Sequence, residues 1–425
     1  MPPRATLVLA DRPTGRPALV ALAGAVEASA VSDRIDLVLA RGPAAVLGAA
    51  REGCRAGHAV LVAWSFFSSD AAAAAEELAA VRAAEAIGVT HIAGGVHASA
   101  EPEATLALGF DLVARGEGEE TLVAVLARLL DERDPRESPG LAWRDSQRAA
   151  SSGRAPPVQL DANPPFSRRL GKALALEITR GCIWSCRFCQ TPFLHRARFR
   201  HRSIESAREF ARFARDLGHR DLRFLTPSAL SYGAEAGEVR LDAVEALLGA
   251  VRDELGASRR IFFGTFPSEL RPEHVSRESL ATIRRWADNR EVLIGAQSGS
   301  ERLLAAMARG HGVEDVVRAV ALSREAGFSP SVDFIVGLPG EEEDDLAATR
   351  RLMARLSEEG ARVHAHAFLP LPGTPWRDRP PGRIDAATRG LLERLASRGH
   401  AYGQWRRQVE LGAQLAQLRL RARTP

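Results

Sequence analysis

The stretch Leu174-Ala-Leu-Glu-Ile-Thr179, continued by Arg180-Gly-Cys182-Ile-Trp-Ser-Cys186-Arg-Phe-Cys189, sets an apolar strand-like run directly before three cysteines spaced Cys-x3-Cys-x2-Cys. The one other cysteine, Cys54, lies far away in sequence. A [4Fe–4S] cubane has four irons, and this loop offers three thiolates. One iron is then left for a small molecule to ligate, whereas an electron-transfer cluster is usually closed by four cysteines. The spacing points to a catalytic cluster with Cys182, Cys186 and Cys189 as its ligands. Structural zinc, with His195 or His201 as fourth ligand, stays open on these residues alone.

Outward from the loop, strands and helices alternate. Strands are expected at Leu174–Thr179, Asp221–Thr226, Arg260–Thr265, Glu291–Gln297, Ser331–Val336 and Arg362–Phe368. Helices fall between them, near Ile204–Leu217, Leu241–Leu255, Pro272–Ala287, Val313–Ala326 and Glu341–Leu356. Six such units are too few for a closed eight-stranded barrel. A partial (β/α)6 TIM-type barrel, open on one side, is the expectation for residues 173–378. His364 and His366 alternate with Val363 and Ala365, so both point to one face of their strand, toward the barrel interior. They read equally well as substrate-handling groups or as satisfied interior histidines.

The first 135 residues show the same alternation with shorter units. Strands are expected at Ala5–Ala10, Ile35–Ala40, Ala59–Trp64, Thr90–Ala93 and Phe110–Ala114, with helices such as Pro17–Ala28, Ala44–Arg55 and Asp70–Ala86. Short apolar strands between alanine-rich helices indicate a parallel sheet covered on both faces. The fold class is therefore α/β: a doubly wound, Rossmann- or flavodoxin-like domain over 1–135, then the partial barrel. In such sheets ligands gather beyond the carboxyl ends of the strands. Those ends carry Asp11-Arg-Pro-Thr-Gly15, Trp64-Ser-Phe-Phe-Ser68, Gly94-Gly-Val-His-Ala98 and Arg115-Gly-Glu-Gly-Glu119. The glycines either let backbone approach a ligand or simply make tight turns.

Residues 136–172 read as a connector rich in Pro, Gly, Ser and Arg, in which Gly140–Arg144 and Pro157–Leu160 could pair as a small ribbon. Residues 379–425 read as a tail of one or two basic helices covering an end of the barrel. Composition bounds the rest. Hydrophobic residues make up 45% of the chain, enough for a sizeable core. No apolar run is long enough to span a membrane and the amino terminus has no leader pattern, so a soluble cytoplasmic protein is expected. The formal charge of +4 comes from arginines scattered among acids, with Lys172 the only lysine, which argues against nucleic acid as a partner. Cys54 is expected as a small helix residue packed in a core.

Four segments taken together, in this order, resemble radical S-adenosylmethionine (SAM) enzymes: the cysteine loop, Ile294-Gly-Ala-Gln-Ser-Gly-Ser300, Asp333-Phe-Ile-Val-Gly-Leu-Pro-Gly340 and Phe368-Leu-Pro-Leu-Pro-Gly-Thr-Pro375. Gly94-Gly-Val-His97 and Arg115-Gly-Glu-Gly-Glu119 are similar to landmarks of the branch with an amino-terminal cobalamin-binding-type domain. The resemblance implies a [4Fe–4S] cluster whose open iron chelates SAM, and reductive cleavage of SAM to a 5′-deoxyadenosyl radical. It implies that Phe188 lies near adenine, that Gln297 and Ser298 bond the ribose or amino-acid portion, and that Ile335 and Gly337 present backbone to adenine. Gly94, Gly95, Gly116 and Glu117 would line the cobalamin side. An electron donor such as flavodoxin or ferredoxin is implied as partner.

Two departures qualify the match. A Gly-Gly-Glu-like segment that holds the amino group of SAM is replaced by Leu225-Thr-Pro-Ser-Ala229, where Thr226, Ser228 or a carbonyl would serve. The Asp-x-His-x-x-Gly cobalamin signature is absent, and at its place Pro13 has no nitrogen able to ligate cobalt. The expected reaction is cobalamin-assisted methyl transfer to an unactivated carbon. A radical rearrangement, ring closure or oxidation without cobalamin, and a cobalamin- or redox-sensing binding protein, remain the alternatives.

Overall fold

The computed structural model describes residues 3–84, 88–146 and 148–423, with side chains to residue 417. The chain forms two compact units, Met1–Leu174 and Ala175–Pro425. The last two residues of the helix expected at Asp70–Ala86 lie outside the described residues; the helix itself covers Ala71–Arg82.

In the first unit, five parallel strands run in the order Ile35–Ala40, Ala5–Ala10, Ala59–Ser65, Val89–Gly94, Leu112–Ala114. This is the 2-1-3-4-5 order of flavodoxin-like sheets. Ala5–Ala10 is buried along its whole length because helices cover both faces. The two faces make two cores, one around Val62, Trp64 and Phe110, the other around Leu7, Leu61 and Leu126. Burying each Val, Leu or Phe side chain contributes about 1.5–3 kcal/mol. Cys54 is half-buried and packs against the first of these cores.

The connector departs from expectation. Leu141–Asp145 pairs not with 157–160 but with Arg148–Ser151, and both join the sheet antiparallel as its sixth and seventh strands. A left-handed residue, Ser146 (φ 55°), turns the chain back at once. Residues 157–160 are held instead by the buried Glu117 carboxylate, which accepts the Val158 N–H at 3.0 Å.

The second unit is an open barrel wall. Leu176–Glu177, Asp221–Leu225 and Arg260–Phe262 form one parallel sheet, and Glu291–Gln297, Ser329–Val336, Arg362–Ala367 and Ala401–Tyr402 form another. The two join through the segment 264–270, where Leu293 N–H reaches Gly264 O at 2.9 Å and Leu270 N–H reaches Leu293 O at 2.7 Å. The third strand is shorter than expected, with Gly264 (φ 73°) just beyond its end. The helix expected from Pro272 begins only at Arg277, because Ser276 and Ser279 close a reciprocal cap at that point.

Leu174–Thr179 is not one strand. Leu176–Glu177 pairs with Phe224–Leu225, and then the chain leaves the barrel. Thr179–Arg180 runs antiparallel to Arg200–His201. The buried Arg202 guanidinium bonds Glu177 O at 3.0 Å and fixes the departure. The tail does more than cover an end. Ala401–Tyr402 extends the wall, and helix Trp405–Arg423 packs on Arg362–Ala367, where Gln408 accepts the Ala367 N–H at 2.9 Å. No helix among the described residues is long and apolar enough to cross a membrane.

Candidate active site

The cysteine loop is framed by the Thr179–Arg180/Arg200–His201 ladder and turns at Gly181 (φ 83°). A Cβ there would lie 2.0 Å from Arg198 O, so only glycine lets the two passes of chain close up. Cys182 packs with Phe199 and Ala234, and Cys186 is also buried. All three thiols are free. Burial pushes the Cys182 thiol up to about 12, and burial raises Cys189 as well. Such sulfurs hold protons until a metal supplies the compensating charge.

The spacing of the thiols and the bonds of His201 weigh against zinc. Among the described residues, the one set of three His, Cys, Asp or Glu donors drawn within 4.8 Å of one another is Asp333, His364 and His366. The three thiols stand wider apart than a single tetrahedral zinc would hold them, as a polynuclear cluster needs. His201 is occupied at both nitrogens, by Thr179 at 3.0 Å and by Ala234 O at 2.9 Å.

The loop is clamped by a segment that the sequence reasoning missed, 307–312. Met307 O accepts the Arg187 N–H at 3.0 Å. Left-handed Ala308 (φ 56°) and Gly310 (φ 82°) flank Arg309, which is buried. Its guanidinium reaches Cys186 Sγ at 3.7 Å, Glu269 at 3.2 Å, Gly295 O at 2.8 Å and His311 Nε2 at 3.0 Å. Burial alone would lower its pKa, but the Glu269 carboxylate and Cys186 outweigh burial and hold it above the ordinary value. Burial and that guanidinium press His311 down to about 4, so it stays neutral. Arg271, also buried, stacks 3.9 Å over Trp184 of the cysteine loop and donates to Arg309 O.

Beside this clamp the structure gathers several of the expected residues. Gln297 is buried and left-handed (φ 74°), at an irregularity in the pairing of its strand. Holding a non-glycine residue there costs on the order of 1–3 kcal/mol. A Cβ placed on Gly295 would meet Arg309 Nη2 at 2.4 Å, Glu269 Oε2 at 2.7 Å and Gln297 Nε2 at 2.9 Å. A cation, an anion and an amide therefore converge over a floor of bare backbone. Phe188 and Ile335 pack into one apolar cluster with Leu303, Met307 and Trp376. Gly337 (φ 74°) turns the chain against Gly382 and Arg383.

Ser298 is employed elsewhere. Its hydroxyl bonds Thr349 Oγ1 at 3.2 Å and accepts the Ser300 N–H at 3.2 Å, shaping the turn into helix Glu301–Ala306. In the departing segment 225–229, Thr226 bonds Ser228 O at 3.0 Å, while the buried Ser228 hydroxyl has no hydrogen-bond partner among the described residues.

Further along the wall, Asp333 and His364 are paired across the sheet, with Oδ1 and Nδ1 at 2.6 Å. His366 Nε2 stands 4.0 Å from the same oxygen, and Tyr402 stacks on His364 at 4.4 Å. Burial and the neighbouring Glu269 raise the Asp333 pKa, while burial lowers both histidines. The set is not arranged as a metal centre. Gln408 spends its oxygen on the Ala367 N–H, so its amide donates to His366 Nδ1 at 3.3 Å. A neutral His366 then carries its proton on Nε2, the atom a metal would need. The three groups read as a hydrogen-bonding wall.

In the first unit, the loops after the first and third strands meet at the point where strand order reverses, the usual ligand crevice of such sheets. A Cβ on Gly15 would lie 2.0 Å from Ser65 O, so the loops interlock through bare backbone. Asp11 is tied to Arg16 by two bonds of 2.7 Å, and Phe67 is exposed. Gly95 (φ 90°) and Gly116 (φ 104°) need glycine's freedom, and Gly94 precedes the first of them. Glu117 serves the connector, as described. His97 is buried, beside the Phe66 ring and 3.1 Å from Ser68 Oγ.

Residues 176–353 match the model of the Radical SAM superfamily, so the chain carries a radical SAM domain, which implies a [4Fe–4S] cluster and SAM. A tRNA-2-methylthio-N(6)-dimethylallyladenosine synthase of Saccharophagus degradans is 29% identical over 251 residues, covering 57% of this chain and 52% of the relative. An uncharacterised protein of Methanopyrus kandleri is 27% identical over 351 residues, covering 69% and 64%. The chain thus spans between about half and two thirds of the length of these curated relatives. Among solved structures, the radical SAM methyltransferase TsrM of Kitasatospora setae, with cobalamin and a [4Fe–4S] cluster bound, superposes with a TM-score of 0.68 at 18% identity, covering 88% of this chain and 77% of that one. The cobalamin-dependent SAM radical enzyme OxsB gives 0.66 at 16% identity, covering 96% and 56%. These likenesses are of fold: a Rossmann-like domain ahead of a partial barrel.

Proposed function

We propose that this radical SAM enzyme performs cobalamin-dependent methyl transfer to an unactivated carbon, in the cytoplasm. One observation carries the reading. A flavodoxin-like unit, whose strand order reverses between its first and third strands, precedes the barrel that carries the cysteine loop in the same chain. The solved structures of like fold include TsrM and OxsB with cobalamin bound.

Cys182, Cys186 and Cys189 would hold the cluster, as three free thiols on one clamped loop. Arg309 and Glu269 present opposite charges next to Cys186, which suits the carboxylate and ammonium of an amino acid bound at the fourth iron. The unpartnered Ser228 hydroxyl supplies a further acceptor for that ammonium. Gln297 would bond the ribose, and Phe188 with Ile335 would enclose the adenine and exclude water. Bound there, cluster and SAM supply a 5′-deoxyadenosyl radical on one-electron reduction, which suits carbon atoms that lack an acidic proton or leaving group. On the cobalamin side, Gly94, Gly95 and Gly116 would allow close backbone approach. Pro13 cannot ligate cobalt, and His97 is engaged with Ser68.

The test is retention of hydroxocobalamin by the full chain with its cluster intact, together with formation of 5′-deoxyadenosine from SAM under dithionite. Retention with cleavage supports methyl transfer. Cleavage without retention leaves the second reading, a radical rearrangement, cyclisation or oxidation that needs no cobalamin.

A further inference from the structure

Residues 178–204 hold six arginines and no acidic residue, in a chain of 57 basic and 53 acidic side chains. Two of the six share the single carboxylate of Glu177: Arg180 at 2.7 Å, and the buried Arg202 at 3.9 Å. Arg187, Arg196 and Arg198 are exposed, and among the described residues their side chains have no ion pair or hydrogen bond. Several exposed arginines elsewhere on this unit are paired, Arg212 with Glu254 at 3.0 Å, Arg240 with Asp242 at 2.7 Å and Arg260 with Asp221 at 2.7 Å, while others such as Arg220, Arg290 and Arg383 stand on separate elements with no ion pair among the described residues. Arg196 and Arg198 are set apart by their place, next-but-one neighbours on the loop that closes against the cysteines.

That loop lies against the cluster site. Arg198 O sits where a Cβ of Gly181 would go, and Phe199 packs on Cys182. Arg196 (φ 61°) and Ala197 (φ 47°) are both left-handed, a conformation that L-residues leave unless something holds it. The surface is thus positive, shaped and next to the cysteine ligands.

We propose that Arg196 and Arg198 form the docking surface for an acidic one-electron carrier protein of the flavodoxin or ferredoxin kind. The proposal rests on the radical SAM reading, which requires an electron from outside. The carrier's reduced cofactor loses one electron and the [4Fe–4S] cluster gains it. A small group of unpaired charges suits such encounters, which are transient, small in area and steered electrostatically. A nucleic-acid footprint would continue as a basic stripe, whereas the neighbouring Arg180 and Arg202 are turned to the Glu177 carboxylate.

The test compares the wild type with Arg196→Glu/Arg198→Glu as full-length, cluster-reconstituted proteins. Formation of 5′-deoxyadenosine is measured with dithionite and with reduced flavodoxin, at low and high salt. Iron content and the dithionite-driven rate should be unchanged, which also shows that the variant is folded. The flavodoxin-driven rate should fall at least tenfold at low salt, and high salt should bring the wild type down toward the variant. Arg196→Lys/Arg198→Lys should keep most of the rate. An unaltered flavodoxin-driven rate in the charge-reversed variant overturns the proposal. So does a loss of RNA retention at that unaltered rate, which would give the patch to nucleic acid. No SAM cleavage with dithionite in the wild type removes the radical SAM reading, and the docking proposal with it.

Discussion

The loop after Thr179 and the loop after Ala10 both carry the chemistry proposed for their units, yet they are built on opposite principles. The first depends on side chains: three sulfurs, a buried guanidinium and a carboxylate at fixed positions. The second is backbone: Gly15 wedged against Ser65 O, Asp11 consumed by Arg16, and a proline where a ligating histidine would stand. A metal–thiolate site demands residue types, because few side chains can donate electron pairs to iron. A crevice for a large planar cofactor demands a surface shape, which many sequences can provide. The first loop should fail abruptly when a side chain is removed, whereas the second should tolerate side-chain loss and fail only where a Cβ is added at Gly15.

The largest expected effect is at the cysteines. Cys182→Ala, Cys186→Ala or Cys189→Ala should abolish cluster assembly and SAM cleavage, read as iron content and 5′-deoxyadenosine after anaerobic reconstitution. Cys54→Ala, on a helix of the other unit, should leave both intact. Stoichiometric zinc without iron after reconstitution would erase the contrast. Next come the residues of the converging floor. Arg309→Gln should weaken SAM binding on the order of a hundredfold, since it strips a buried anion site of its charge. Gln297→Ala should weaken it about tenfold, the worth of one buried hydrogen bond. Iron content should hold in both, and an unchanged SAM affinity removes that residue from the site.

A smaller effect concerns Glu341, whose carboxyl burial raises from 4.5 to about 7. The fold prefers its protonated form, so its stabilising contribution is full below pH 4.5 and lost as pH rises through about 7. That amounts to no more than about 3 kcal/mol. Denaturant unfolding of Glu341→Gln should show this segment of the pH profile flattened. The smallest expected effect is none at all: His97→Ala should not change hydroxocobalamin binding, and reduced cobalt should show no nitrogen coupling in its paramagnetic spectrum. Nitrogen coupling that disappears in His97→Ala would make the first unit a side-chain site after all.

Much of the architecture was legible because periodicity reports burial. Glu291–Gln297 follows the expected pattern because a strand covered on both faces must be apolar, and Arg362–Ala367 because buried Val363, Ala365 and Ala367 alternate with His364 and His366. Legibility failed where tertiary partners redirected the chain. Nothing local in Leu174–Thr179 reveals that Arg202, more than twenty positions on, pulls the backbone out of the barrel. Nothing in the connector reveals that Glu117 claims Val158 and frees Leu141–Asp145 for the sheet.

By itself the sequence determined the three-thiol loop and the class of fold, because cysteine spacing and hydrophobic period are local properties written in consecutive residues. Only the tertiary structure decided which polar groups attend the cysteines. Arg309 and Glu269 lie forty residues apart and meet at 3.2 Å beside Cys186, while Ser298, adjacent to Gln297, turns away to Thr349. Convergence of distant side chains depends on how strands and loops pack, and the left-handed turns at Gln297, Ala308 and Gly310 that bring it about are stable only within the completed fold.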